Sequence, residues 1–181
     1  MLKQPILGVE FNFCYISGES EMFSRMLLIV GCFLLSFTSW AGAETWPQRI
    51  GQAMVWQVAG SYEDVRSDLA DAIESRGMVI SYISHAKAML DRTGKDLGYT
   101  DSVYPTGAEI FLFCKADISQ KLVRVNPHHV VLCPYAIAVY DVAGEPGKVY
   151  LSYRVAPEGT PEYKPVEQLL RQLIESIVEN Y

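Results

Sequence analysis

The stretch PVEQLLRQLIESIVENY, at the C-terminal end, most constrains the fold. Val166, Leu169, Leu170, Leu173, Ile174, Ile177 and Val178 recur at i, i+3, i+4, i+7 spacing, which predicts an amphipathic helix opening at Pro165. An apolar stripe that wide has to be covered. Either it lies on a sheet built by the rest of the chain, or it pairs with a second copy as a dimer-forming helix.

The rest of the chain supplies the strands for such a sheet. MVWQVA, from Met54 to Ala59, leads into SYEDVRSDLADAIESRGM, where Ser61 and Asp64 form a capping-box-like start. Tyr62, Val65, Leu69, Ala72 and Ile73 share one helical face, and Gly77 ends that helix as a left-handed cap. MVISYIS is a strand rich in β-branched residues, and HAKAMLDRTGKDLG reads as a short helix closed by Gly94. AEIFLFC is apolar on both faces, as an interior strand is. ADISQKLVRVNP reads as a short helix stopped by Pro127, and YAIAVYD and KVYLSYRV as two strands joined by the turn VAGEPGK. This alternation predicts an α+β two-layer sandwich: a mixed sheet with helices on one face and the C-terminal amphipathic helix closing it. Strand order is not legible in the pattern.

Ahead of this domain lies a processing signal. MLLIVGCFLLSF, from Met26, follows Arg25 and precedes SWAGAE, in the order of a secretory hydrophobic core and an A-x-A cleavage site at Ala41 and Ala43. Residues 1–43 are therefore expected to be an upstream extension plus a signal peptide, cleaved near Ala43/Glu44. Residues 44–181 are expected to be one exported domain, periplasmic or secreted. The apolar run, about 12 residues, falls short of the ~20 that span hydrocarbon, so no stable membrane anchor is expected. Glu10, Glu19 and Glu21 are foreign to a signal, which suggests translation from Met22 or Met26. Ile29-Val30-Gly31-Cys32 resembles a lipoprotein cleavage box, but Phe33 to Leu35 continue the apolar run beyond it.

A net charge of −6, with Lys and Arg scattered, argues against a nucleic-acid partner. A protein partner in the periplasm remains compatible with it. No H-E-x-x-H, G-x-S-x-G, P-loop or dinucleotide fingerprint occurs. Ser84-His-Ala-Lys87 matches S-x-x-K by letter only, since S-D-N and K-T-G are missing, and the sequence points away from an enzyme.

The residues with chemistry of their own are few. Cleavage would remove Cys14 and Cys32 and leave Cys114, at the end of FLFC, and Cys133, before Pro134. Three readings stand: a structural disulfide, if the Cα atoms come within about 7 Å; two buried inert thiols; or a ligand or redox pair. His85 and Met89, four apart, would share a helical face and, with the cysteines nearby, form a soft N/S set suited to copper or to axial ligation of haem iron. The competing reading is a helix-start histidine and a core methionine. His128 and His129, after Asn126-Pro127, read as solvent-exposed in a loop, because adjacent histidines on a regular element cannot face one metal.

SYEDVRSDLADAIESRGMVISYISHAKAMLDRTGKDLG, the FLFC strand, NPHHVVLCPYAIAVYD and KVYLSYRVAP together resemble the domain-of-unknown-function 302 (DUF302) family. They look most like its exported members, with HxxxMLxRTGxDLG, FC and CPY segments. The resemblance covers about residues 54 to 157 and leaves out the tail helix. It implies a compact α+β fold that often forms a homodimer, implies no established activity, and ties the cysteine pair to exported life. Three functions follow: a small exported binding or accessory domain holding haem or copper near His85 and Met89; a structural or interaction domain with a Cys114–Cys133 disulfide and no ligand; or a thiol-dependent redox or sulfur-compound enzyme.

Overall fold

The computed structural model describes residues 45–156 and 158–181; the expected signal peptide, its cleavage site, Cys14 and Cys32 lie outside them. Strand β1, Gln48–Ile50, is too short to announce itself in the sequence. It is followed by β2, Ala53–Ala59, and helix α1, Tyr62–Glu74. Ser61 caps α1 by accepting from the Asp64 amide at 3.1 Å, and Gly77 takes φ +71° just beyond its end, both as the sequence predicts. Strand β3, Val79–His85, runs directly into α2, Ala86–Asp96. The expected stop at Gly94 does not occur. Glycine is tolerated within the helix, and the left-handed position falls to Gly98, at φ +84°.

Strand β4, Ala108–Cys114, α3, Ala116–Val125, and a 3-10 turn, Pro127–Leu132, come next. Then follow β5, Tyr135–Asp141, and β6, Lys148–Arg154. A second 3-10 turn, Pro161–Tyr163, precedes the tail helix α4, Lys164–Val178. Among the described residues no helix is long and apolar enough to cross a membrane.

The six strands form one sheet in the order β1-β2-β6-β5-β4-β3. The two-layer α+β fold is the expected one, but every ladder is antiparallel where a mixed sheet was expected. The connections explain this. Helices α2 and α3 join strands that are neighbours in the sheet, so each returns the chain antiparallel, while α1 carries it from β2 to the far edge.

Phe111 and Phe113 of β4, Ile137 and Val139 of β5, and Val149 and Leu151 of β6 project from one face. They meet Val65, Leu69 and Ile73 of α1 and Leu170, Leu173, Ile174 and Ile177 of α4 in one core. The tail stripe is thus spent on its own sheet. Leu170 and Ile174 are 1% and 0% exposed, so the helix does not offer that stripe to a second copy. The opposite face carries Ile110, Leu112, Ala136, Ala138, Tyr140 and Ser152, by the alternation of the same strands.

Candidate functional site

The end of the sheet where β3 stops and β4 starts gathers charge. Glu109 lies opposite His85 in the ladder and is accepted into a three-residue network. Its Oε2 accepts from Arg66 Nε of α1 at 2.6 Å, and its Oε1 lies 2.8 Å from His85 Nδ1. A carboxylate only accepts, so Nδ1 is the donor in this contact, and in the neutral imidazole that leaves Nε2 as the acceptor nitrogen. The Glu109 side chain is 15% exposed and that of His85 62%, so the network is anchored inside and presents the imidazole outward. The Arg66 guanidinium also sits 5.5 Å from the centre of the Phe111 ring, which fixes its place over the core.

Tyr62 backs this cluster. Its ring packs on Gly107, where an added Cβ would meet Cζ at 2.0 Å, and its hydroxyl is buried without a hydrogen-bond partner among the described residues. Burial pushes the phenol far above its usual pKa, and the negative charge of Glu109 adds to the shift. The Gly107 loop is held by Asp141, itself 8% exposed, whose carboxylate accepts from the Thr106 amide at 3.0 Å and the Gly107 amide at 3.1 Å. A cavity of about 260 Å³ lies among Tyr62, Arg66, His85, Lys87, Thr106 and Glu109.

His85 closes β3 and occupies the N-cap of α2 with φ −84° and ψ +75°, so it is not part of the helix that carries Met89. The shared helical face expected of the pair therefore loses its premise. Met89 is 47% exposed, with its sulfur 3.9 Å from Thr93 Oγ1, and α2 has no buried residue. The expected soft set also comes apart. Cys114 pairs with Val79 and Glu109 with His85, so the cysteine and the histidine stand at opposite ends of one ladder, about 17 Å apart at ~3.4 Å per residue.

The two cysteines do come together. Phe113 pairs with Tyr135, so continuing that register sets Cys114 against Pro134 and next to Cys133. Both are free thiols in this structure. Cys133 Sγ donates to Ser119 Oγ at 3.5 Å, and Ser119 Oγ lies 2.8 Å from Tyr135 Oη. Although Cys114 is solvent-exposed as a residue, local desolvation and the neighbouring Cys133 push its thiol upward in pKa. That is opposite to the depressed pKa a nucleophilic thiolate needs.

His128 and His129 sit in the 3-10 turn and not in an open loop; His129 is only partly exposed, and its Nδ1 is buried without a partner among the described residues. Among the described residues, no three His, Cys, Asp or Glu side chains are grouped to hold a metal ion. Glu109, Arg66 and Asp141 are not legible as site residues in the sequence, because their partners lie 24 to 43 residues away in the chain. One signal for Glu109 was present: a single carboxylate inside AEIFLFC, in a strand otherwise apolar on both faces.

Residues 54–179 match the family model described as "Domain of unknown function DUF302". The match runs through the tail helix, beyond the span over which the resemblance was visible. The fold is similar to the crystal structure of an uncharacterized conserved DUF302 protein from Bacillus stearothermophilus, with 13% sequence identity and a TM-score of 0.55. The alignment covers 70% of this chain and 98% of that one, and at this identity it speaks for the fold alone. No curated protein matches the chain.

Proposed function

The chain belongs to the DUF302 family, and from that premise we propose that it is a small exported binding domain that presents His85 to a haem iron. One observation carries the reading: Glu109, locked by Arg66 at 2.6 Å, holds His85 Nδ1 at 2.8 Å. This carboxylate–histidine arrangement is the one that orients a metal-ligating imidazole and raises its basicity. Haem suits it better than a bare copper ion. His85 stands without a cluster of further ligands among the described residues, and a porphyrin brings four nitrogen donors of its own. Half-exposed Met89 and Leu90 of α2 follow His85 in the chain and offer apolar surface for a ring. Export and pairing as a homodimer belong to the same reading.

Titration of the purified protein with hemin tests it. A Soret band shifted from that of free hemin, lost in His85→Ala and weakened about tenfold in Glu109→Gln, is expected. A protein that takes up neither hemin nor copper would sink the reading.

A second reading is favoured by the register that sets Cys114 beside Cys133: a structural domain closed by a disulfide, worth on the order of 3 kcal/mol for a loop of this size. Alkylation of the denatured, unreduced protein from the periplasm separates the two cases. No mass shift marks a bridge, and two added groups mark free thiols.

A further inference from the structure

The sheet face opposite the helices carries a groove of about 750 Å³, within the range of small-molecule sites. Its floor follows one register row: Ser84 of β3, Ile110 of β4, Ala138 of β5 and Ser152 of β6 are successive cross-strand neighbours. Three strand intervals at ~4.8 Å make this row about 14 Å long. The small side chain of Ala138 at its centre, with Ala136 one row over, makes the floor concave where Tyr140 and Tyr150 fill the same face further along.

Two polar groups stand at one end of this trough. Arg154 is the single charged residue of the lining, is solvent-exposed, and has no ion-pair partner among the described residues of a chain whose net charge is −6. Tyr163 is 8% exposed, yet its hydroxyl makes no hydrogen bond among the described residues. Tyr163 packs 6.4 Å from Tyr135 at the start of β5, and Arg154 ends the antiparallel neighbour β6, so both line the groove at the same end of those strands. An unpaired guanidinium and an unused phenol hydroxyl are both donors, the chemistry an anionic head group needs.

We propose that this groove binds a free single-chain amphiphilic carboxylate, with its head on Arg154 and Tyr163 and a hydrocarbon body of about 14 Å, roughly twelve carbons, over Ala136 and Ala138. The site lies on the sheet face turned away from the α1 side chains that hold Glu109, so it is separate from the imidazole of His85. Charge selects the ligand and the small-residue floor sets its length.

Calorimetric titration of the full-length purified protein with dodecanoate, below its micellar concentration, tests the proposal. Dodecyltrimethylammonium, with the same body and the opposite charge, is the control. Saturable binding of one dodecanoate per chain and none of the cation is expected. Arg154→Gln should weaken binding about tenfold, as expected for the loss of one charge-assisted contact. Ala138→Leu, which fills the floor from the solvent side, should abolish it, with thermal melts confirming that both variants fold. Equal binding of anion and cation, or dodecanoate binding unmoved by Arg154→Gln and Ala138→Leu, overturns the proposal. So does a protein that binds no dodecanoate, including one that sediments as a dimer with this face covered by the second copy.

Discussion

Gly107 is the residue on which the charged end of the sheet turns. Its φ is unremarkable, and what it supplies is space, since any Cβ would meet the Tyr62 ring at 2.0 to 2.6 Å. Gly107→Ala must displace Tyr62, which is 7% exposed and packed in the core, and is expected to cost about 1–3 kcal/mol in urea unfolding. An unchanged midpoint would mean that the ring does not rest on Gly107. The same residues show the limit of sequence reading at this scale. His85 is visible as a candidate because histidine is chemically conspicuous, whereas Glu109 gains its meaning from Arg66, 43 residues earlier. Pattern along a chain reports periodicity and not the partner that a fold brings from another element.

At the scale of elements, periodicity succeeded where one face is buried and failed where none is. Helix α1 and the tail helix were legible because their stripes are consumed by the core, through Leu69 and Ile73 in one and Leu173 and Ile174 in the other. Helix α2 buries no residue, so Met89 and Leu90 suggest a covered face that it lacks, and its start and stop shift to His85 and Gly98. The tail helix yields a direct test of its role. Leu173 is 0% exposed, and Leu173→Ala is expected to cost about 2–5 kcal/mol in thermal or urea unfolding, with no specific effect on association. A variant of wild-type stability but altered mass in solution would return the stripe to a dimer contact. Changing Leu170 or Ile174 to a charged residue is accordingly expected to unfold the chain before it can report on oligomerisation.

Over the whole molecule, the alternation of strands and helices was enough for two layers, because any sheet with one apolar face needs helices to cover it. The antiparallel order was out of reach, since the pairing joins strands far apart in the chain, as β2 with β6, and no local pattern along either strand reports its partner. The covered layer is also rich in tyrosine. Tyr62, Tyr135, Tyr153 and Tyr163 are all held above the usual phenol range, chiefly by burial, with Tyr163 pushed up to about 12. Their neutral form is the one the fold accepts. The unfolded chain releases these protons near pH 10, whereas the folded chain retains them longer. Stability from these rings is therefore complete below pH 10 and drains away as pH rises from there through about 12. Absorbance of phenolate at 295 nm and far-ultraviolet circular dichroism, followed together from pH 9 to 12.5, read the effect. The later part of the phenolate signal should rise with the loss of ellipticity, in one cooperative step. If all the tyrosines ionised near pH 10 while the ellipticity stayed intact, the fold would tolerate the phenolates, and burial of these rings would not be what holds their protons.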